Sequence, residues 1–225
     1  MERGLGSIQE GIKVAVVTGG HMYDVPAFRA MFNRMAGVQY YIQDFDNWAF
    51  DTGKVWDQYD VHLFYNMHSW GILTVRDNAD ERIMSAVERL GQTEQGVVVL
   101  HHALLSHPDG QVWSDICNIQ DRKLRGWAPN STLVTDVANK EHPITKDLET
   151  WQMTDELFLM DSPAEGSMPL LTTENPESIS TLAWTHQYNK AHVFCYQSGH
   201  DNQTYTDPNF QTVLYRGIRW AAGKI

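Results

Sequence analysis

A chain of 225 residues, 42% hydrophobic and 20% charged, has the size and balance of one globular domain with a real core. A formal net charge of -11 argues against nucleic acid and against an anionic membrane surface as partners. Cys117 and Cys195 match no metal or redox spacing and read as buried thiols of a cytoplasmic protein. The first eleven residues carry no apolar leader core, and no apolar run is long enough to span a bilayer.

Residues 1–12 read as a flexible lead and residues 13–225 as a single domain. Residues 13–18 (KVAVVT) form a buried strand that breaks at Gly19 and Gly20, where the chain turns tightly into His21, Met22, Tyr23 and Asp24. Asp24 caps the next helix, Phe28, Met31, Phe32 and Met35 share its apolar face, and Gly37 ends it. Residues 38–43 make a second strand. Residues 60–66 (DVHLFYN) make a third, ending at Met67, His68, Ser69 and Trp70. A helix follows over 76–90, with Ile83, Met84, Val87 and Leu90 as its stripe and Gly91 as its stop. Residues 96–100 (GVVVL) are a strand buried on both faces, running straight into His101 and His102.

Residues 104–130 read as a short helix with irregular cover, 132–137 as a strand and 151–160 as a mixed polar–apolar strand carrying Asp155 and Glu156. A loop spans 162–178. Residues 180–186 and 191–198 pair as a hairpin that ends at Gly199, His200 and Asp201, and Asp207-Pro208 opens the last helix. The alternation predicts an α/β fold: a mostly parallel sheet with helices on both faces and an antiparallel extension at one edge.

In such sheets ligands bind at the carboxyl ends of the strands. Four predicted strand ends deliver a histidine: His21, His68, the His101–His102 pair and His200. Each has a plainer use. His21 can bond a backbone carbonyl, His68 can pack on Trp70, and Asp201 can cap a turn rather than orient His200. Glu156 can be a solvated carboxylate. Alternation along a strand turns only one of two consecutive histidines toward a site. We assign chemistry to His102, with His200 and Glu156, and pocket lining to Gly20, His21, Tyr23, Asp24, His68, Trp70, His101 and Asp201. His68, His102 and His200, with a carboxylate, would make an open site for a divalent metal such as zinc. Acid–base work by imidazoles on a sugar is the metal-free alternative. Ser106 lacks a nucleophile-elbow context, and without GxGxxG there is no nucleotide cofactor site.

The motifs VVTGGHMYD, FDTGKVWDQYDV, FYNMHSWG, GVVVLHHAL, HPIT, TDELF, SGHD and RGIRWAAG together resemble the trehalose-utilization (ThuA-like) family of the class I glutamine amidotransferase-like superfamily, from about residue 13 to the end of the chain. The resemblance implies a flavodoxin-like three-layer sandwich and a link to disaccharide or 3-keto-sugar metabolism. True amidotransferases place a cysteine where this chain has His101-His102, while His200 matches their later histidine. Glutamine hydrolysis through a thioester is therefore not expected.

These readings converge on a cytoplasmic, His-based enzyme acting on a small-molecule sugar or keto-sugar, its histidines either moving protons or holding a divalent metal, with a partner dehydrogenase for any redox step. Two alternatives stand beside it: a non-catalytic sugar-binding module, and a metal-dependent amidohydrolase. A homo-oligomer is expected, with Trp48, Trp56 and Trp127 either marking a self-association surface or covering the core.

Overall fold

The computed structural model describes residues 11–51, 54–68 and 77–225. β1 (Ile12–Gly19), β2 (Val38–Asp44), β3 (Val61–Asn66), β4 (Gly96–Leu100) and β9 (Ala191–Tyr196) pair in parallel in the order β2-β1-β3-β4-β9. Beyond β9 the sheet continues antiparallel through β8 (Thr181–Tyr188), β7 (Met168–Thr172), β5 (Gly126–Val137) and β6 (Trp151–Leu159).

The central strands are uniformly apolar because both faces are covered. One core layer packs Val14, Val16, Leu63, Val98 and Phe194 against α1 (Val25–Phe32) and α6 (Pro208–Ala221). The other packs Ala15, Val17, Phe64, Val97 and Val99 against α2 (Phe45–Ala49), α3 (Asp77–Arg89) and α4 (Gln111–Cys117). The result is the flavodoxin-like three-layer sandwich. Cys117 and Cys195 are both buried free thiols. Among the described residues no helix is long and apolar enough to cross a membrane.

Several expectations change in detail. The strand expected over 132–137 begins at Gly126 and bends at a bulge between Ala128 and Ser131. The loop expected over 162–178 contains β7, whose Leu170 and Leu171 are buried between β5 and β8. The hairpin forms as expected and opens the antiparallel extension at one edge of the parallel sheet: β9 pairs in parallel with β4 and antiparallel with β8, so its carboxyl end joins those of the parallel strands. A short helix, α5 (Asn202–Thr206), was not expected; Asp201 caps it by accepting from the Gln203 N–H. Trp48 and Trp56 are core, packed on each other and on His62, so neither marks a self-association surface.

Candidate functional site

The carboxyl ends of β1, β3, β4 and β9 are neighbours in the sheet, and each exits into a histidine-bearing turn. At the end of β1, Gly19 and Gly20 adopt positive φ, 122° and 74°. A Cβ on Gly20 would lie 2.2 Å from the Met67 carbonyl oxygen. The glycine is therefore required for the β1 exit to pass against the β3 exit. Gly20→Ala is expected to cost about 2–3 kcal/mol, since the clash is with backbone and φ is unfavourable. A thermal melt checks it; an unchanged midpoint would show that the turn relaxes freely.

At the end of β4 the chain leaves the strand at Leu100 and enters a 3-10 turn over His101–Leu105. His101 takes φ of 53°, in the left-handed region that a bulky residue rarely adopts. Its side chain is 0% exposed. Its Nδ1 lies 2.7 Å from the Gln197 carbonyl oxygen and its Nε2 3.2 Å from His200 Nδ1. Glu156 Oε1 completes a triangle, 3.6 Å from His101 Nε2 and 3.4 Å from His200 Nδ1.

Glu156 reaches this point because β5 and β6 fold back beside the end of β9. The residue before it, Asp155, is buried and fastens the two parts together. Its carboxylate accepts from the backbone N–H groups of Glu156 (2.9 Å), Gly199 (3.0 Å) and His200 (3.1 Å) and from the Thr204 hydroxyl (2.9 Å). Asp155 is thus a positioning residue that sequence reading missed beside its more obvious neighbour.

His102 takes a different place. Its Nε2 lies 3.2 Å from the Tyr65 carbonyl oxygen, which can only accept, so Nε2 carries the proton. Its ring packs against that of His21, tilted by 34° with centroids 4.6 Å apart. The position expected for His102 beside Glu156 and His200 is occupied by His101. His68 turns the other way, toward Phe45 and His107, with Asn66 donating to its Nδ1. The expected metal set of His68, His102 and His200 is therefore not assembled. Among the described residues, the group whose ligand atoms converge is His101, Glu156 and His200. Trp70 lies outside the described residues.

Electrostatics follow burial. Burial alone would raise the Glu156 carboxyl, but contacts with His101 and Trp127 and the nearby imidazoles outweigh it and hold the group below its ordinary value. Burial, then the neighbouring His101, lowers His200. Burial, His101 and His21 together push His102 well below the usual imidazole range.

Glu156 and His200 form the floor of a cavity of about 640 Å³, with Tyr23, Asp24 and Asp201 at its sides. Tyr23 packs on Phe28 and Tyr65. Asp24 caps α1 by accepting from the Ala27 N–H. Trp127 stands at the rim, 60% exposed, and lines the same cavity as the Glu156 carboxylate, whose proton affinity it helps lower. Sequence reading treated it as cover or an association surface; only the cavity it shares with Glu156 shows its place. Gly20 and His21 also line an adjoining cavity of about 820 Å³ that contains His68, Leu105 and Leu124. His21 Nδ1 lies 2.7 Å from the Met22 carbonyl oxygen, so Nδ1 is the protonated nitrogen and Nε2 keeps its lone pair.

A family model described as "Trehalose utilisation" (ThuA) matches residues 13–221. A ThuA-like protein from Parabacteroides merdae superposes with a TM-score of 0.70 at 20% identity, covering 96% of this chain and 91% of that one. One from Bacteroides uniformis gives 0.67 at 17%, covering 93% and 91%. A glutamine amidotransferase from Thermotoga maritima gives 0.56 at 8%, covering 93% and 98%. At these identities the likeness is one of fold. No curated protein matches the sequence.

Proposed function

The chain belongs to the trehalose-utilisation (ThuA) family, and from that premise we propose that it is an enzyme acting on a sugar or keto-sugar at the His101–Glu156–His200 centre. The observation that carries the reading is the convergence of two imidazoles and one carboxylate, of which His200 and Glu156 line a cavity with an exposed indole at its rim while His101 is buried behind them. Trp127 offers a flat apolar surface for the C–H face of a sugar ring, and Asp24 and Asp201 offer acceptors for its hydroxyls. The adjoining cavity leaves room for the second unit of a disaccharide.

The chemistry suited to this centre is proton abstraction next to a carbonyl, leading to elimination or isomerisation. His21, which lines both cavities and keeps its Nε2 lone pair, is the base in this reading. The His101–Glu156–His200 centre holds the substrate oxygens on which enediolate charge develops. A dehydrogenase that makes the keto group is the partner such a reaction calls for.

The test is turnover of 3-keto-glucosides, followed by loss of the keto sugar. His21→Ala and His200→Ala are each expected to lower turnover by about 10²–10⁴-fold while circular dichroism stays unchanged. Turnover that survives His200→Ala in a folded protein would sink the proposal. Saturable sugar binding that depends on Trp127, with no turnover by the unaltered protein, would replace it with a sugar-binding module.

A further inference from the structure

We infer that His101, Glu156 and His200 bind one divalent transition-metal ion of the zinc class. The inference deepens the reading above by naming what the centre holds, but it stands on geometry that does not depend on the substrate.

The three candidate donor atoms are separated by 3.2, 3.4 and 3.6 Å. Zinc bonds to imidazole nitrogen and carboxylate oxygen run about 2.0–2.2 Å, and the edge of a tetrahedron built on them is about 3.3–3.6 Å. The protein thus presents one face of that tetrahedron at its full size.

The tautomers agree. The Gln197 carbonyl oxygen accepts only, so His101 Nδ1 carries its proton and Nε2 directs a lone pair into the triangle. A backbone carbonyl on the far nitrogen is the usual outer partner of a metal-bound histidine. The other two ligands are braced by one buried group: the Asp155 carboxylate accepts from the backbone N–H groups of both Glu156 and His200. The strained φ of His101 is explained by the same requirement, since it delivers the ring from the end of β4 into the triangle.

Three protein ligands leave the fourth vertex open. Glu156 and His200 line the cavity shared with His21, so the open vertex faces the place a substrate would enter. Closed structural zinc sites have four protein ligands; three with an open position is the catalytic pattern. Two imidazoles and one carboxylate suit zinc, manganese, iron(II) or nickel better than calcium or magnesium.

The full chain, produced without a polyhistidine tag and stripped with a chelator, is titrated with Zn²⁺ and separately with Co²⁺. The expected result is one equivalent of either ion, with cobalt giving the intense visible absorption of a four-coordinate site and zinc displacing it. His101→Ala, Glu156→Gln and His200→Ala should each weaken binding at least about 100-fold. His68→Ala and His102→Ala should leave stoichiometry and spectrum unchanged. His200 faces the cavity rather than the core, so His200→Ala is the variant that tests the site if His101→Ala does not fold.

Failure of Zn²⁺ or Co²⁺ to bind saturably would overturn the inference, as would binding indifferent to His200→Ala. In that case a proton shared between His101 and Glu156 holds the triangle, and the sugar reading survives if turnover still depends on His200. Metal binding without turnover of any keto-sugar would uphold the metal site and remove the sugar reading.

Discussion

Acidification from pH 7 to 4.5 is expected to remove a third or more of the stability of this protein. His62 is fully buried on β3, with Trp48 Nε1–H donating to its Nδ1 and its ring packed on Trp56. His107 is enclosed by Phe45, His68 and Trp113, near the buried Arg122 guanidinium. Burial takes each imidazole from 6.5 down to about 3.

Both are neutral in the folded chain and regain their ordinary affinity for protons on unfolding. Their contribution is therefore complete above pH 6.5 and is lost as pH falls from 6.5 toward 3. Two protons taken up on unfolding give a slope of about 2.7 kcal/mol per pH unit, or about 5 kcal/mol by pH 4.5. That is a third or more of the stability of an ordinary domain, about 5–15 kcal/mol. His68, His142 and His186 are lowered in the same direction by burial. The buried Asp155, raised by its burial, opposes them. Urea unfolding at pH 7.5, 5.5 and 4.5 measures the slope. A stability flat over that range would mean that these imidazoles are charged in the native state.

Gly217→Ala and Gly96→Ala are each expected to destabilise the fold by about 3 kcal/mol or more. Helix propensity alone would favour alanine at Gly217 by about 1 kcal/mol. Packing reverses the sign: a Cβ there would sit 2.2 Å from the Phe194 ring on β9. At Gly96 it would meet the Ala221 carbonyl oxygen at 2.4 Å, which is backbone and cannot swing aside. These two glycines let α6 lie directly on β4 and β9, the strands that end in His101 and His200. Gly37 is the contrast. Nothing lies near its missing Cβ, so Gly37→Ala costs only its positive φ, about 1 kcal/mol. Denaturant midpoints of the three variants check the order. Equal losses would show that conformation, not contact, sets the cost.

The central strands and the last helix were legible because each carries one strong local signal. KVAVV, GVVVL and the Phe210, Val213, Leu214, Ile218 stripe have a period that only one element satisfies. β7 was not legible, since five residues starting with Met168 and Pro169 in a Ser- and Pro-rich stretch gain their strand character from β5 and β8 on either side. Trp48 and Trp56 were ambiguous because a buried indole and an exposed one look alike in sequence.

The candidate site divides the same way. Its histidines were found at strand ends because a parallel sheet gathers its carboxyl edges, and Glu156 was named from its own motif. Alternation could not choose between His101 and His102, because the strand has already ended at Leu100 and a left-handed residue sets the direction instead. Trp127, Asp155 and Gln197 are distant in sequence from His101 and meet the cluster only when β5 and β6 close over the end of β9. The sequence by itself determined the layers of the sandwich and the edge where its histidines collect, since hydrophobic period and strand-end chemistry are local properties. Only the tertiary structure decided which three donor atoms converge, because that depends on one strained backbone angle and on contacts between strands far apart in the chain.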